Sequence, residues 1–187
     1  MTRPAAQEHA VEIRDLRITF ATDGGDVAAV KGIDLDVRPG EVLAVVGESG
    51  SGKTVTARSI LGLLPETARL DGAVLLNGTD VVPLPPKRLR ELRGTEAAMI
   101  FQEPMTALNP VYTVGWQIAE GLRAHTSISR KEARAKAIDI LHRVGIPEPE
   151  KRVDDYPHQF SGGQKQRIVI AQALALDPAV IIADEPT

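Results

Sequence analysis

Residues 41–64 read EVLAVVGESGSGKTVTARSILGLL, and this stretch decides the fold. The run 41–46 is almost wholly apolar and follows the turn residues Arg38-Pro39-Gly40, which predicts a short strand in a sheet buried on both faces. Residues 53–64 predict a helix that Pro65 stops. A buried strand, a glycine-rich loop and a helix in this order are typical of a phosphate-binding turn in an α/β protein.

The glycine-rich loop fits the pattern GxxxxGK(S/T). Its glycines let successive backbone N–H groups point inward at an anion, and the helix beginning near Lys53 adds the positive end of its dipole. Lys53 is placed to contact the β- and γ-phosphates of a nucleotide, and the Thr54 hydroxyl to bind Mg²⁺. The predicted nucleotide-binding residues are Gly47, Glu48, Ser49, Gly50, Ser51, Gly52, Lys53 and Thr54.

The flanking segments extend this core to a whole fold. Residues 11–20 and 27–37 alternate apolar and polar side chains on either side of Asp23-Gly24-Gly25-Asp26, which predicts an antiparallel hairpin with a slip at Arg14-Asp15. Further strands are predicted at 72–76, 97–101 and 180–183, and helices at 87–93, 130–144 and 162–176. Apolar strands that alternate with helices predict an α/β fold of the P-loop NTPase kind, with a parallel sheet, an N-terminal antiparallel ribbon and an inserted helical lobe.

Two carboxylates follow the last apolar strand. In an open α/β sheet, ligands bind at the carboxyl ends of the strands. Asp184 would there hold Mg²⁺, and Glu185 would polarise or deprotonate the water that attacks the γ-phosphate. A solvated acidic pair at the start of a loop is the alternative reading, which the upstream phosphate loop disfavours.

Residues 161–164, SGGQ, open the last helix. Ser161 and Gln164 predict a capping box. Two glycines in the first helical turn cost roughly 1 kcal/mol each relative to alanine. Capping does not require Gly162 and Gly163, so we expect an anion to approach the backbone N–H groups here.

Composition excludes several functions. The 187 residues carry a net charge of −3, no cysteine and 3% aromatic side chains. This balance leaves no basic surface for nucleic acid, no thiolate metal site and no platform for stacking bases. The longest uncharged run, 104–119, has 16 residues and is interrupted by Pro110 and Gly115, whereas a spanning helix needs roughly 20 apolar residues. The start of the chain lacks the apolar stretch of a secretory signal, so the cytosol is the expected compartment.

Four motifs in order resemble the ATP-binding subunit of an ABC transporter: GESGSGKT, Gln102 after AAMIF, FSGGQ and VIIADEPT. The stretches MIFQEPMTALNPVYTVGWQI and YPHQFSGGQKQRIVIAQAL are similar to the oligopeptide, dipeptide and nickel importer branch. This resemblance covers the chain from about residue 11 and implies a RecA-like core. It differs in Phe160, where the family usually has leucine.

The resemblance implies a role for each motif residue. Lys53, Glu185 and Gln102 would be catalytic, and Gln102 would join Thr54 and Asp184 at Mg²⁺. The signature loop, residues 161–164, would close on ATP held by a second subunit. Phe20 is the candidate for stacking on adenine, with a place in the strand core as its alternative reading. The residues thus expected to contact ATP outside the phosphate loop are Phe20, Ser161, Gly162, Gly163 and Gln164.

The implied partners are a second ATPase subunit, identical or related, and transmembrane permease subunits, with a solute-binding protein acting indirectly. The subunit would lie at the cytoplasmic face of the inner membrane and would not bind nucleic acid. Residues 104–119 would face the membrane subunits, with Leu108, Val111 and Tyr112 as candidate contacts. Two alternatives stay open: a soluble ABC ATPase of DNA repair or translation, and a fragment that binds nucleotide without hydrolysing it.

The predicted domain is one incomplete nucleotide-binding domain. Residues 1–102 and 161–187 would form its α/β core, and 103–160 its helical lobe. By resemblance, a strand beyond Thr187 would insert into the central sheet. We therefore expect the 187-residue chain to be unstable or inactive by itself, because buried backbone groups without partners cost about 1–3 kcal/mol each. Steady-state ATP hydrolysis by the isolated chain would contradict this expectation.

Overall fold

The computed structural model describes residues 8–101 and 107–184. The chain divides into two compact units, 1–96 and 97–187, and each is described by itself. The predicted division into an α/β core and a helical lobe stays a prediction. The first unit contains β1 (Val11–Thr22), β2 (Gly25–Val37), α1 (Lys53–Ile60), β3 (Ala68–Leu76), β4 (Thr79–Asp80) and α2 (Pro86–Leu92).

A four-stranded antiparallel sheet in the order β2-β1-β3-β4 forms the frame of the first unit. The predicted hairpin is confirmed: β1 pairs with β2 from Val11↔Val37 to Thr22↔Gly25. The predicted slip is also present, since the register shifts after Ile13 and Asp15 adopts a φ of 43°. Alternate side chains of β1 are buried because one face of the sheet packs inward.

The prediction of a strand at residues 41–46 is wrong. These residues form no strand, and Val42 and Val46 are 94% and 89% exposed. A strand is defined by its ladder of hydrogen bonds to a neighbour. Among the described residues, no backbone hydrogen bond joins 42–46 to another strand. The apolar sequence predicts burial, but a strand also needs a neighbouring strand to pair with.

The helix after the loop is shorter than predicted. α1 ends at Ile60 rather than at residue 64, because Gly62 takes a φ of +59° and the chain turns. Arg93 fixes this turn: its Nε donates to the Leu61 carbonyl at 2.9 Å and its Nη2 to the Gly62 carbonyl at 2.7 Å. The carbonyl end of α1 is therefore satisfied by a side chain.

The second unit combines a parallel strand pair with helices. Its elements are β5 (Ala97–Ile100), α3 (Val114–His125), α4 (Arg130–Arg143), α5 (Pro149–Arg152), a 3₁₀ turn (Pro157–Gln159), α6 (Gly162–Leu174) and β6 (Val180–Ala183). β5 and β6 run parallel in the register Ala97↔Val180 to Ile100↔Ala183. A buried apolar cluster that includes Ile118, Leu141 and Ile168 holds α3, α4 and α6 together.

The fold is thus mixed α/β, as predicted, with an antiparallel ribbon and a parallel pair. The strands at 97–101 and 180–183 are confirmed to within a residue, and the helix at 130–144 ends at Arg143. Ser129 and Glu132 form the predicted capping box at its start. Across the described ranges, no helix is long and apolar enough to cross a membrane.

Candidate functional site

The phosphate loop, residues 47–54, is exposed over 47–51 and ends at the start of α1. Gly52 is the N-cap residue of that helix, with a φ of +94° that L-residues rarely adopt. A Cβ on Gly52 would lie 2.9 Å from the Ala29 carbonyl oxygen of β2. The loop therefore needs glycine both for its backbone angle and for its close approach to the sheet.

Lys53 is the charged group of this loop. Its Nζ donates to the carbonyl oxygens of Gly47 at 2.8 Å and Glu48 at 2.9 Å. The ammonium thus lies against its own loop and donates to two neutral carbonyl oxygens. A phosphate oxygen would be a stronger, charge-assisted acceptor for the same group.

The loop fits a polyphosphate on the geometry of its backbone. Gly50 takes a φ of +82°, and a Cβ placed there would meet no atom of the described residues within 4 Å. Ser51 N–H donates back to the Glu48 carbonyl at 3.2 Å, which tightens the turn. The α1 N-terminus behind the loop adds its positive dipole end. Together these features suit an anion with several negative oxygens.

Two predicted Mg²⁺ ligands lie in the described part of the chain. Thr54 is half-buried in the first turn of α1. Asp184 is 7% exposed and directly follows β6, where its N–H donates to the Ile100 carbonyl at 2.9 Å. A buried carboxylate is stable only where a cation or hydrogen-bond donors compensate its charge. Binding of Mg²⁺ by Thr54 and Asp184 stays a prediction. Residues 8–101 and 107–184 contain no cluster of three or more His, Asp or Glu side chains that could hold a metal.

Gln102 and Glu185, the other two residues assigned to hydrolysis, lie outside the described residues. Their roles stay predictions. Phe20 is half-buried in β1, where it pairs with Val27 and Ala68. Stacking of its ring on adenine also stays a prediction.

The signature loop has the predicted capping geometry. Ser161 caps α6, Gln164 N–H donates to its Oγ at 3.4 Å, and Ser161 N–H donates to the Gln164 side-chain oxygen at 3.0 Å. Gly162 and Gly163 are exposed, and a Cβ on either would meet no atom within 4 Å in the part of the chain that the structure describes. Packing among these residues does not require glycine there, so the expected approach of an anion to the signature loop stays a prediction.

Of the three residues predicted to contact membrane subunits, Leu108, Val111 and Tyr112, the prediction for Leu108 is wrong. Leu108 is only 5% exposed and belongs to the buried cluster, so it does not present a contact. Val111 is 69% exposed and Tyr112 42%. Trp116, which the sequence reasoning missed, is 46% exposed and stacks on Tyr112 with ring centroids 4.0 Å apart. The sequence could have indicated Trp116, because it is an aromatic residue in the first helical turn after the N-cap residue Thr113.

A family model described as ABC transporter matches residues 30–187. The chain belongs to the ABC transporter family. Within that family it is similar to two proteins of Bacillus subtilis (strain 168). It is 51% identical over 179 residues to the "Oligopeptide transport ATP-binding protein OppD", covering 95% of this chain and 50% of that protein. It is 50% identical over 182 residues to the "Dipeptide transport ATP-binding protein DppD", covering 96% and 54%.

Among solved structures, the chain is similar to a dimeric ATP-binding cassette in a post-hydrolysis state bound to ADP and Pi. The TM-score is 0.83 at 29% identity, over 95% of this chain and 74% of that one. The fold is therefore that of ATP-binding cassettes, and the predicted resemblance is confirmed. The chain spans about half the length of the curated relatives it matches.

Proposed function

We propose that this chain is the nucleotide-binding part of an ATPase subunit that energises import of peptides or related small solutes through a membrane transporter. The phosphate loop carries the proposal, because glycines with positive φ, the Lys53 ammonium and a helix N-terminus converge on one open turn. Sequence identity of 51% and 50% to oligopeptide and dipeptide transport proteins supports peptides as the solute class. It also favours transport over the soluble DNA-repair or translation alternative.

The residues divide the work of hydrolysis. The backbone N–H groups of 47–54 and the Lys53 ammonium bind the phosphate chain and neutralise the charge that develops on it. Thr54, Asp184 and Gln102 would hold Mg²⁺, Gln102 would also orient the attacking water, and Glu185 would remove the proton of that water. Hydrolysis of the bond between the β- and γ-phosphates of ATP, which yields ADP and phosphate, would supply the energy.

The proposed working unit is a dimer of ATPase subunits, identical or related. Exposed glycines in the signature loop support it, since they leave room for a nucleotide held by a second subunit. The dimeric cassette with ADP and Pi supports it as well. The exposed stack of Tyr112 and Trp116 supports contact with permease subunits. We place the assembly at the cytoplasmic face of the membrane, with a solute-binding protein acting indirectly.

The proposal is tested in the full-length protein with three substitutions. Lys53→Met should weaken ATP binding at least about tenfold, because a hydrogen bond to a charged group is worth about 1.5–3 kcal/mol. Glu185→Gln should keep ATP binding, slow turnover by about 10²-fold or more and accumulate an ATP-bound dimer. Lys87→Met, on the exposed face of α2, is the matched control and should change none of ATP binding, turnover and dimer formation. Calorimetry, phosphate release and size-exclusion chromatography measure the three properties.

Two outcomes would contradict the assignments. Equal ATP affinity in Lys53→Met and Lys87→Met would remove the phosphate loop from the site. A Glu185→Gln protein that stays monomeric with ATP and turns over normally would remove Glu185 as the base. Co-purification of the subunit with membrane subunits that take up labelled peptides in vesicles tests the solute class.

A further inference from the structure

Arg152 makes three contacts with the segment that leads into the signature loop. It is the last residue of α5, and its side chain is 22% exposed. Its Nε donates to Asp155 Oδ2 at 3.0 Å, and its Nη2 donates to the Gln159 carbonyl at 2.9 Å. The guanidinium carbon lies 4.1 Å from the centre of the Phe160 ring. One side chain therefore binds a carboxylate, a backbone carbonyl and an aromatic face.

Two residues that Arg152 contacts, Gln159 and Phe160, directly precede Ser161, the N-cap residue of α6. Phe160 is 5% exposed and packs in the apolar cluster of the second unit. Gln159 closes the 3₁₀ turn, where its side-chain oxygen accepts the Tyr156 N–H at 2.7 Å. The backbone before Ser161 is thus held by the packing of the Phe160 ring and by the hydrogen bond from Arg152 to the Gln159 carbonyl.

Only arginine can make this set of contacts. Its planar fork holds donors on separate nitrogens in fixed directions, while its face stacks on an aromatic ring. A lysine ammonium is a single point charge and could keep the attraction to the ring or one hydrogen bond, but not the whole set.

We propose that Arg152 is a positioning residue for the signature loop. It holds Gln159 and Phe160 so that Ser161 and the N–H groups of α6 point toward the position of the second subunit's nucleotide. This inference rests on the proposed ATPase function. It predicts that losing the Arg152 side chain slows turnover while ATP binding at the chain's own phosphate loop is kept.

The test uses the full-length protein and an adjacent control. In Arg152→Met, kcat should fall about tenfold, while ATP affinity in the binding-competent fraction stays within about twofold. Lys151→Met removes a cation from the same helix, where Lys151 pairs with Glu148 at the surface, and should behave as wild type. Turnover is counted per molecule that binds ATP. A substitution that only destabilises the fold would therefore lower the melting temperature without lowering kcat.

A double-mutant cycle tests the contact with the ring and remains usable if Arg152→Met does not fold. Arg152→Lys and Phe160→Leu should each lower kcat about threefold, and the double variant should lose no more than about fivefold. Full multiplication of the two losses, or equal kcat in Arg152→Met and Lys151→Met, would overturn the proposal. Absence of ATP turnover in the wild type would instead refute the proposed function.

Discussion

Two glycines of α3, Gly115 and Gly121, have opposite surroundings. A Cβ on Gly115 would lie 2.1 Å from Val153 Cγ2 and 2.6 Å from the Val153 carbonyl oxygen. That carbonyl also accepts the Gly115 N–H at 2.8 Å, so the backbone cannot move away without losing a hydrogen bond. A Cβ on Gly121 would meet nothing within 4 Å.

The pair provides a matched test at the scale of single residues. Gly115→Ala should lower the free energy of unfolding by about 1–3 kcal/mol, because backbone and Val153 must separate. Gly121→Ala should raise it by up to about 1 kcal/mol, because alanine is the better helix former. Urea denaturation of the full-length protein measures both. Equal effects of the two substitutions would show that Gly115 does not approach Val153 closely.

At the scale of elements, the start of α4 depends on an ionised carboxylate. Ser129 Oγ and N–H donate to Glu132 Oε2 at 2.6 and 3.1 Å. These bonds, with the side-chain bond the stronger cause, lower the pKa of Glu132 below its ordinary 4.5. The folded protein then binds this proton less readily than the unfolded chain. The cap's contribution to stability is therefore complete above pH 4.5 and is lost as the pH falls through the lowered pKa.

Ser129→Ala should raise the pKa of Glu132 toward 4.5, because it removes the main cause of the shift. The control is Ser127→Ala, two residues earlier in the same exposed loop. Titration of the Glu132 side-chain carbon by NMR measures the effect. The capping box would be contradicted if Glu132 titrated at the same pH in both variants.

At the scale of the whole molecule, the segment 42–46 is an exposed apolar stretch of the described chain. Val42, Val45 and Val46 are 94%, 55% and 89% exposed. Exposed runs of β-branched residues pair with copies of themselves. We expect the 187-residue polypeptide to self-associate as its concentration rises, and Val42→Lys/Val46→Lys to reduce this.

The matched control for self-association is Val27→Lys/Val111→Lys, which adds the same two charges at other exposed valines. It should leave the association largely unchanged. Static light scattering over a concentration series measures both. If the two double variants were equally effective, added charge rather than the segment 42–46 would be responsible.

The sequence by itself determined the local features of this protein. The Asp23-Gly24 turn and the Ser129 and Ser161 caps depend on neighbouring residues only, so residue types predict them. The slip at Arg14-Asp15 shows in the sequence as a break in alternation, but in the structure it also involves β2, where Asp34 Oδ1 accepts the Asp15 N–H at 2.9 Å. The phosphate loop and the signature loop are also predicted from local sequence, because their glycines and the residues that start the next helix lie within a few positions of each other.

Tertiary structure decided what depends on residues distant in sequence. The apolar run 41–46 does not become a strand, because no described strand pairs with it. Leu108 is buried because it packs in the apolar cluster, and Trp116 is exposed because α3 turns its other face, with Val114 and Ile118, toward that cluster. Arg152 meets Phe160 only because α5 and the 3₁₀ turn fold back on each other. Burial and side-chain contacts are properties of the packed chain, and no local pattern contains them.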